Sequence, residues 1–303
     1  MMTITLEAPA KINLWLDVKD KRPDGYHDIE SVMQTVTLAD TLTITREDGG
    51  AARHISISCS TDELACDESN LCYMAAQAFF SRTGIRRYSA AIHIEKRIPI
   101  AAGLAGGSTD AAATLIGLDR LYDTGLTKEE LCDIGKRIGA DVPFCVRRGI
   151  CVTRGIGEIM SPCGRLPECA ILIACEGERV STPWAYRMVD ELKRATAFKT
   201  ACVDSFTSML SDGREIDDIA SGMLNIFEDA VLPHRKMAAE LAELIGQTGA
   251  LRVMMSGSGP SVFGLYKSRK DAESAGEKLR EHGISPMICE PYYEDLKMSE
   301  IQK

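Results

Sequence analysis

The segment Gly103-Leu104-Ala105-Gly106-Gly107-Ser108-Thr109 sets three glycines and two hydroxyl side chains directly before the apolar, alanine-rich run 110–122. A phosphate site needs backbone N–H groups converging on one point, and glycine permits that approach because it has no Cβ. A helix starting there adds the positive end of its dipole. The same letters also describe an ordinary strand-to-helix turn, and the loop alone supports both readings equally. Two common nucleotide loops are excluded. A P-loop ends in Gly-Lys-Ser/Thr, whereas here Gly107 is followed by Ser108 with no lysine. A dinucleotide fingerprint needs glycine two residues after Gly103, where this chain has Ala105.

With its flanks the loop runs Pro99-x-x-x-Gly103-Leu104-Ala105-Gly106-Gly107-Ser108-Thr109, and two further stretches, "APAKINLWLDV" and "MMSGSGPSVFGLY", accompany it near the two ends of the chain. These three motifs, in this order, resemble those of the GHMP kinases. The resemblance implies ATP at the loop, with Pro99, Gly103, Leu104, Ala105, Gly106, Gly107, Ser108 and Thr109 around its phosphates and Asn70 and Lys96 on the adenosine side. It implies Lys11 and Asp141 as the catalytic pair: Asp141 accepts a hydroxyl proton while Lys11 orients it and offsets developing charge. Magnesium is expected with ATP, although no residue stands out as its ligand. Each residue also has a plainer reading. Lys11 and Lys96 fit surface lysines, Asn70 a helix cap, Asp141 a turn aspartate, and "SGSGPS" a hairpin turn.

The stretch "RPDGYHDIES" resembles the branch of that family whose acceptor is 4-diphosphocytidyl-2-C-methyl-D-erythritol, in the non-mevalonate route to isoprenoids. That resemblance implies Tyr26 and His27 at the cytosine, Tyr186 (or Trp184) as a second aromatic wall, Asn13 beside the methylerythritol, and Thr182 near the substrate. Base stacking on such a wall is commonly worth about 1–3 kcal/mol. Without the flanking signature, Tyr26-His27 is an ordinary loop tip after a turn. The agreement weakens between Leu192 and Gly222.

Composition narrows the partners. The net charge of -9 opposes nonspecific binding to nucleic acid or anionic lipid and favours a small molecule. No basic and apolar leader and no membrane-length apolar run is visible. Eleven cysteines, odd in number and without a C-x-x-C pair, read as reduced thiols rather than zinc ligands or a disulfide framework. A cytoplasmic protein, monomeric or a weak homodimer, is expected. The remaining histidines, His54, His93, His234 and His282, lack metal-like spacing.

The elements that must hold these residues follow from periodicity. "TITLEA", "INLWLDV", "VMQTVTL", "TLTIT" and "HISIS" alternate as strands; "SNLCYMAAQAFFSRTG" is helical, with Ser69 as cap and Gly84 as stop. The glycine loop leads to a helix capped by Ser108 or Thr109, then to a second in "TKEELCDIGKRIG". Gly149 to Pro167 is rich in glycine and proline and marks a domain boundary. Beyond it come strand "CAILIAC", helices "TPWAYRMVDELKRA" and "HRKMAAELAELIG", two strands joined at "SGSGPS", helix "KDAESAGEKLREHG" and strand "SPMIC". At 303 residues two α+β domains are expected, residues 1–158 and 159–303. The family resemblance makes the first a ribosomal-protein-S5-domain-2-like unit and the second a ferredoxin-like sandwich.

Overall fold

The N-terminal alternation forms two long strands rather than four short ones: β1 (Met2–Lys21) and β2 (His27–Arg46) pair antiparallel along nearly their whole length. The computed structural model describes residues 1–47, 53–195, 202–293 and 301. The register of β1 shifts between Pro9 and Lys11, and the side of burial changes with it. Ile4, Leu6 and Ala8 join one core, whereas Ala10, Ile12 and Leu14 join another. An irregularity of this kind re-aims the residues beyond it, here turning Lys11 and Asn13 toward a cavity.

Strands β3 (Arg53–Cys59), β4 (Tyr88–Glu95), β5 (Ile150–Arg154), β6 (Ile159–Pro162) and β8 (Leu224–Asn225) complete the first sheet, in which β3 runs parallel to β4 and β8 parallel to β1. Helices α1 (Leu71–Thr83), α2 (Gly106–Tyr122), α3 (Lys128–Gly135) and α4 (Val142–Arg147) cover one face. Asn70, not Ser69, caps α1: its side chain accepts from the Cys72 amide. Neither Ser108 nor Thr109 caps α2, which starts earlier, after Ala105.

The second sheet has the order β11-β7-β10-β9, from β7 (Ala170–Ala174), β9 (Arg252–Met255), β10 (Val262–Tyr266) and β11 (Met287–Cys289), all antiparallel. In chain order that is 4-1-3-2, the arrangement of a ferredoxin-like sandwich. Between β7 and β9 lie α5 (Thr182–Ala195), α6 (Val203–Ser211), α7 (Ile216–Gly222), α8 (Ile226–Val231) and α9 (Lys236–Gly246); α10 (Arg269–Glu281) precedes β11. β7 is apolar at every position because both faces are covered. Ile171 and Ile173 meet the first sheet, and Ala170, Leu172 and Ala174 meet α9 and α10.

The hairpin of β5 and β6 belongs wholly to the first sheet, so a division at 158/159 would cut it. The change of sheet falls between Pro162 and Ala170, and β8 then returns to the first sheet. Helices α4, α6, α7 and α8 go beyond the elements that periodicity predicts, since runs of six to nine residues are too short for it to declare. All eleven cysteines are free thiols, and no helix among the described residues is long and apolar enough to cross a membrane.

Candidate active site

Where the two sheets meet, a cavity of about 430 Å³ is lined by Lys11 and Asn13 of β1, the glycine loop, Asp141, Thr182, Tyr186, Phe227 and the turn Gly257–Gly259. Lys11 is buried at its centre. Its Nζ donates to Asn13 Oδ1 (2.8 Å) and to the Gly103 carbonyl (3.0 Å), and it lies 3.8 Å from Asp141 Oδ2. Asn13 is itself fixed, donating to Ser31 Oγ (2.8 Å), which donates to the Trp15 carbonyl. Asp141 stands at the start of α4 with no side-chain capping bond, its carboxylate facing the cavity and about one-third exposed (36%). The arrangement is a lysine beside an available carboxylate at the mouth of a helix.

That helix is α2. Ala101 and Ala105 take φ of 56° and 58°, a strained conformation for residues with a Cβ. No side chain caps the helix N-terminus, and Ala105, Gly106, Gly107 and Ser108 line the cavity. The glycines do more than clear a path for a ligand. A Cβ on Gly106 would meet Ile98 and Lys96 at 3.2 and 3.3 Å, one on Gly107 would meet Leu71 at 3.2 Å, and one on Gly103 would strike the Ser256 carbonyl at 2.1 Å. Their smallness seats the loop against the protein, and it is the seated backbone that faces the cavity.

Several expected ligand contacts lie elsewhere. Leu104 and Thr109 are fully buried, and neither they nor Pro99 line the cavity. Asn70 is spent on structure: besides capping α1 it donates to the Ala65 carbonyl at 2.7 Å. Lys96 is a buried ion-pair centre beneath the loop, bonded to Asp40 and to Asp110 (2.9 Å), while Asp40 also accepts from the amides of Arg97 and Ile98. Burial pushes the Asp110 carboxyl up; burial alone would lower Lys96, but Asp110 and Asp40 outweigh it and raise it. Lys96→Met should therefore strand two buried carboxylates and cost about 3–5 kcal/mol. With the lysine gone, protonating the Asp110 carboxyl, which burial already pushes up, relieves part of that cost. Thermal melts should show the deficit largest near pH 8 and shrinking toward pH 5.

On the other side of the cavity, Tyr186 of α5 stacks on His27 (centroids 5.0 Å, 22°) and meets Phe227 edge-on (5.1 Å, 87°). Burial, and secondarily the charge of Asp141, push the Tyr186 phenol up to about 12, so it stays protonated. His27 Nε2 lies 2.8 Å from Asp190 Oδ1, and Thr182 Oγ1 lies 3.4 Å from Ser258 Oγ. Tyr26 is exposed (62%) at the hairpin tip, and neither Tyr26 nor His27 lines the cavity directly. Trp184 turns away, with Arg235 over its ring. The structure thus brings together Lys11, Asn13, Gly103, Ala105 to Ser108, Asp141, Thr182 and Tyr186, and leaves Tyr26 apart.

Sequence reasoning missed Ser31, Asp190, Asn225, Phe227 and Glu228, which act through partners far along the chain and carry no local motif. Glu228 Oε1 accepts from the Met255 amide (2.9 Å), and burial pushes its carboxyl up to about 7 despite that bond. A carboxyl raised above its unfolded value favours the folded state at low pH. That advantage is lost between about pH 4.5 and 7, so above pH 7 the buried charge is a liability. Glu228→Gln keeps an acceptor without the charge. It should raise the melting temperature at pH 8 by an amount equivalent to roughly 1–3 kcal/mol, with a smaller change at pH 5.

The fold and this site define a class, and comparison with known proteins agrees. The family models "GHMP kinases N terminal domain" and "GHMP kinases C terminal" match residues 70–149 and 208–285. Proteins named 4-diphosphocytidyl-2-C-methyl-D-erythritol kinase are similar throughout. The one from Gloeobacter violaceus is 40% identical over 99% of this chain and 98% of its own length, and the one from Syntrophomonas wolfei is 40% identical over 91% and 94%. A crystal structure of 4-(cytidine 5'-diphospho)-2C-methyl-D-erythritol kinase superposes with a TM-score of 0.78 at 31% identity, covering 94% of this chain and 98% of that one. Mevalonate kinase from L. major shares the fold at 14% identity, with a TM-score of 0.75 over 94% of each chain. The chain belongs to the GHMP kinases and, within them, to the 4-diphosphocytidyl-2-C-methyl-D-erythritol kinase family.

Proposed function

We propose that this protein transfers the γ-phosphoryl group of ATP to the 2-hydroxyl of 4-diphosphocytidyl-2-C-methyl-D-erythritol, giving ADP and the 2-phosphate. This is a step in non-mevalonate isoprenoid precursor synthesis. The observation that carries the reading is the convergence, in one cavity, of Lys11, Asp141 and the uncapped N-terminus of α2. Phosphoryl transfer asks little covalent chemistry of a protein. It requires alignment and charge stabilisation, and these groups supply both.

In this reading the amides of Gly106, Gly107 and Ser108 hold the ATP phosphates at the positive end of α2. Asp141 accepts the proton of the attacking hydroxyl. Lys11, held by Asn13 and the Gly103 carbonyl, stays beside the transferring group and disperses its charge. The acceptor's base lies against the Tyr186 and His27 side, with Thr182 and Asn13 along its length. Tyr26, free at the hairpin tip, folds over the base when it binds. Among the described residues no three His, Cys, Asp or Glu side chains come together, and the cavity lining includes the Ser108 hydroxyl and the Asp141 carboxylate. Those fit a magnesium ion carried in on ATP, which would neutralise phosphate charge while held mainly by phosphate and water oxygens.

The test is ADP release by purified protein with ATP and magnesium, comparing the cytidyl substrate with methylerythritol 4-phosphate, mevalonate and homoserine. Turnover confined to the cytidyl substrate is expected. Turnover with mevalonate alone, or none with any acceptor despite ATP binding, would overturn the reading.

A further inference from the structure

The turn at "SGSGPS" is gripped from behind by a segment that no motif marks. Asn225 is buried at the junction of β8 and α8. Its Oδ1 accepts from the Phe227 amide (3.0 Å), and its Nδ2 donates to the carbonyls of Met255 (2.7 Å) and Gly257 (2.8 Å). One side chain thus caps a helix and spends both amide hydrogens on the turn. Three residues on, Glu228 takes the Met255 amide, so both polar groups of that residue's backbone are fixed by this segment. The grip continues into the cavity. Ser256 Oγ donates to the Gly103 carbonyl at 3.0 Å, the same oxygen that receives Lys11 Nζ, and a Cβ built on Gly257 would lie 3.5 Å from that Nζ. Asn225 also pairs in parallel register with Leu16 on β1, the strand that carries Lys11.

We infer that Asn225, assisted by Glu228, is a positioning residue for phosphoryl transfer: it locks the Ser256–Gly259 turn against the glycine loop and so sets the place of Lys11. The inference rests on the reaction proposed above. Because Asn225 reaches Lys11 through the turn and the Gly103 carbonyl, its loss displaces the lysine without removing any group that contacts a ligand. A misplacement of about 1 Å in such a site costs on the order of 100-fold in rate. The cost falls on kcat rather than on KM.

Two substitutions separate this role from helix capping. Asn225→Ser keeps an oxygen for the Phe227 amide but cannot donate to both carbonyls. It should lower kcat tenfold or more, with KM for ATP and acceptor within threefold, and the buried carbonyl left without a donor should lower the melting temperature. Asn225→Asp also keeps the cap but sets a carboxylate against two carbonyls, and only its protonated form can donate to one of them. Its kcat relative to wild type should therefore rise severalfold from pH 8 to pH 6. Charged groups on the packed elements include Lys11 beside Gly257 and Glu228 with its neighbours Asp229 and Arg252; because Glu228 itself titrates near about 7, the comparison is repeated in a Glu228→Gln background. Hydrogen exchange gives a readout independent of turnover: Asn225→Ser should speed exchange in both 101–108 and 255–261. Unaltered protection of those segments overturns the inference even if the wild-type protein phosphorylates no acceptor, which would count against the proposed reaction instead. In an active enzyme, kcat within twofold of wild type for Asn225→Ser, or a pH-independent ratio for Asn225→Asp, overturns it as well.

Discussion

Asp141→Asn is expected to lower kcat by about 10²–10⁴-fold while leaving ATP affinity within threefold of wild type. A positioned general base contributes a factor of that size, and asparagine matches aspartate in shape but cannot take a proton. The carboxylate makes no capping bond, and its ion partner, Lys11 Nζ, is 3.8 Å away, so little of the fold depends on it. A partly exposed pair at that distance is worth at most about 1 kcal/mol. Stability and activity should consequently separate: nearly the same melting curve, nearly no turnover. Single-turnover phosphorylation with saturating ATP is the cleanest check, because it removes product release from the rate. A variant keeping more than a tenth of wild-type kcat would mean that the hydroxyl loses its proton to another group, and that Lys11 and the α2 N-terminus carry most of the catalysis.

The second large effect is expected from Gly103→Ala, which should unseat the loop and the turn together. Gly103 sits at φ +79°, where an L residue is strained, and its Cβ would come 2.1 Å from the Ser256 carbonyl oxygen and 3.1 Å from its carbon. Those are backbone atoms and cannot rotate aside. The loop must retreat, and with it the Gly103 carbonyl that holds both Lys11 Nζ and Ser256 Oγ. A loss of about 2–4 kcal/mol in stability is expected, with at least a tenfold loss in ATP affinity and a greater one in kcat. Gly213→Ala serves as the comparison, since Gly213 has φ +64° with nothing within 4 Å of its missing Cβ. It should incur the conformational strain alone, about 1 kcal/mol. Equal melting temperatures for the two variants would show that the loop accommodates the methyl group and that its seating is not tight.

Much of this molecule was legible in the letters. The alternation of β1 and β2, the helix after the glycine loop, and the hairpin strands around "SGSGPS" all follow from the period of apolar residues and from glycine at turns, which are properties of neighbours in the chain. The motif order named the family, and Lys11 and Asp141, 130 residues apart, do meet across the cavity. A reading of neighbours could not tell which side of β1 Lys11 would face, because that depends on a register shift against β2. Nor could it show that Lys96, plausible as a surface or ligand lysine, is enclosed with Asp40 and Asp110 from 56 residues before and 14 after. In the sequence the loop glycines read as clearance for phosphate, yet the obstacles to a side chain are Ile98, Leu71 and the Ser256 carbonyl, supplied by other elements. Asn225 and Glu228 left no trace at all, since their partners lie about 30 residues away and one side-chain amide looks like any other until those partners arrive. Local conformational preference and motif identity are written in adjacent residues, and the sequence alone determined the longer elements and the family. Burial, ion pairing and the aim of each side chain depend on what packs against it, and only the tertiary structure decided those.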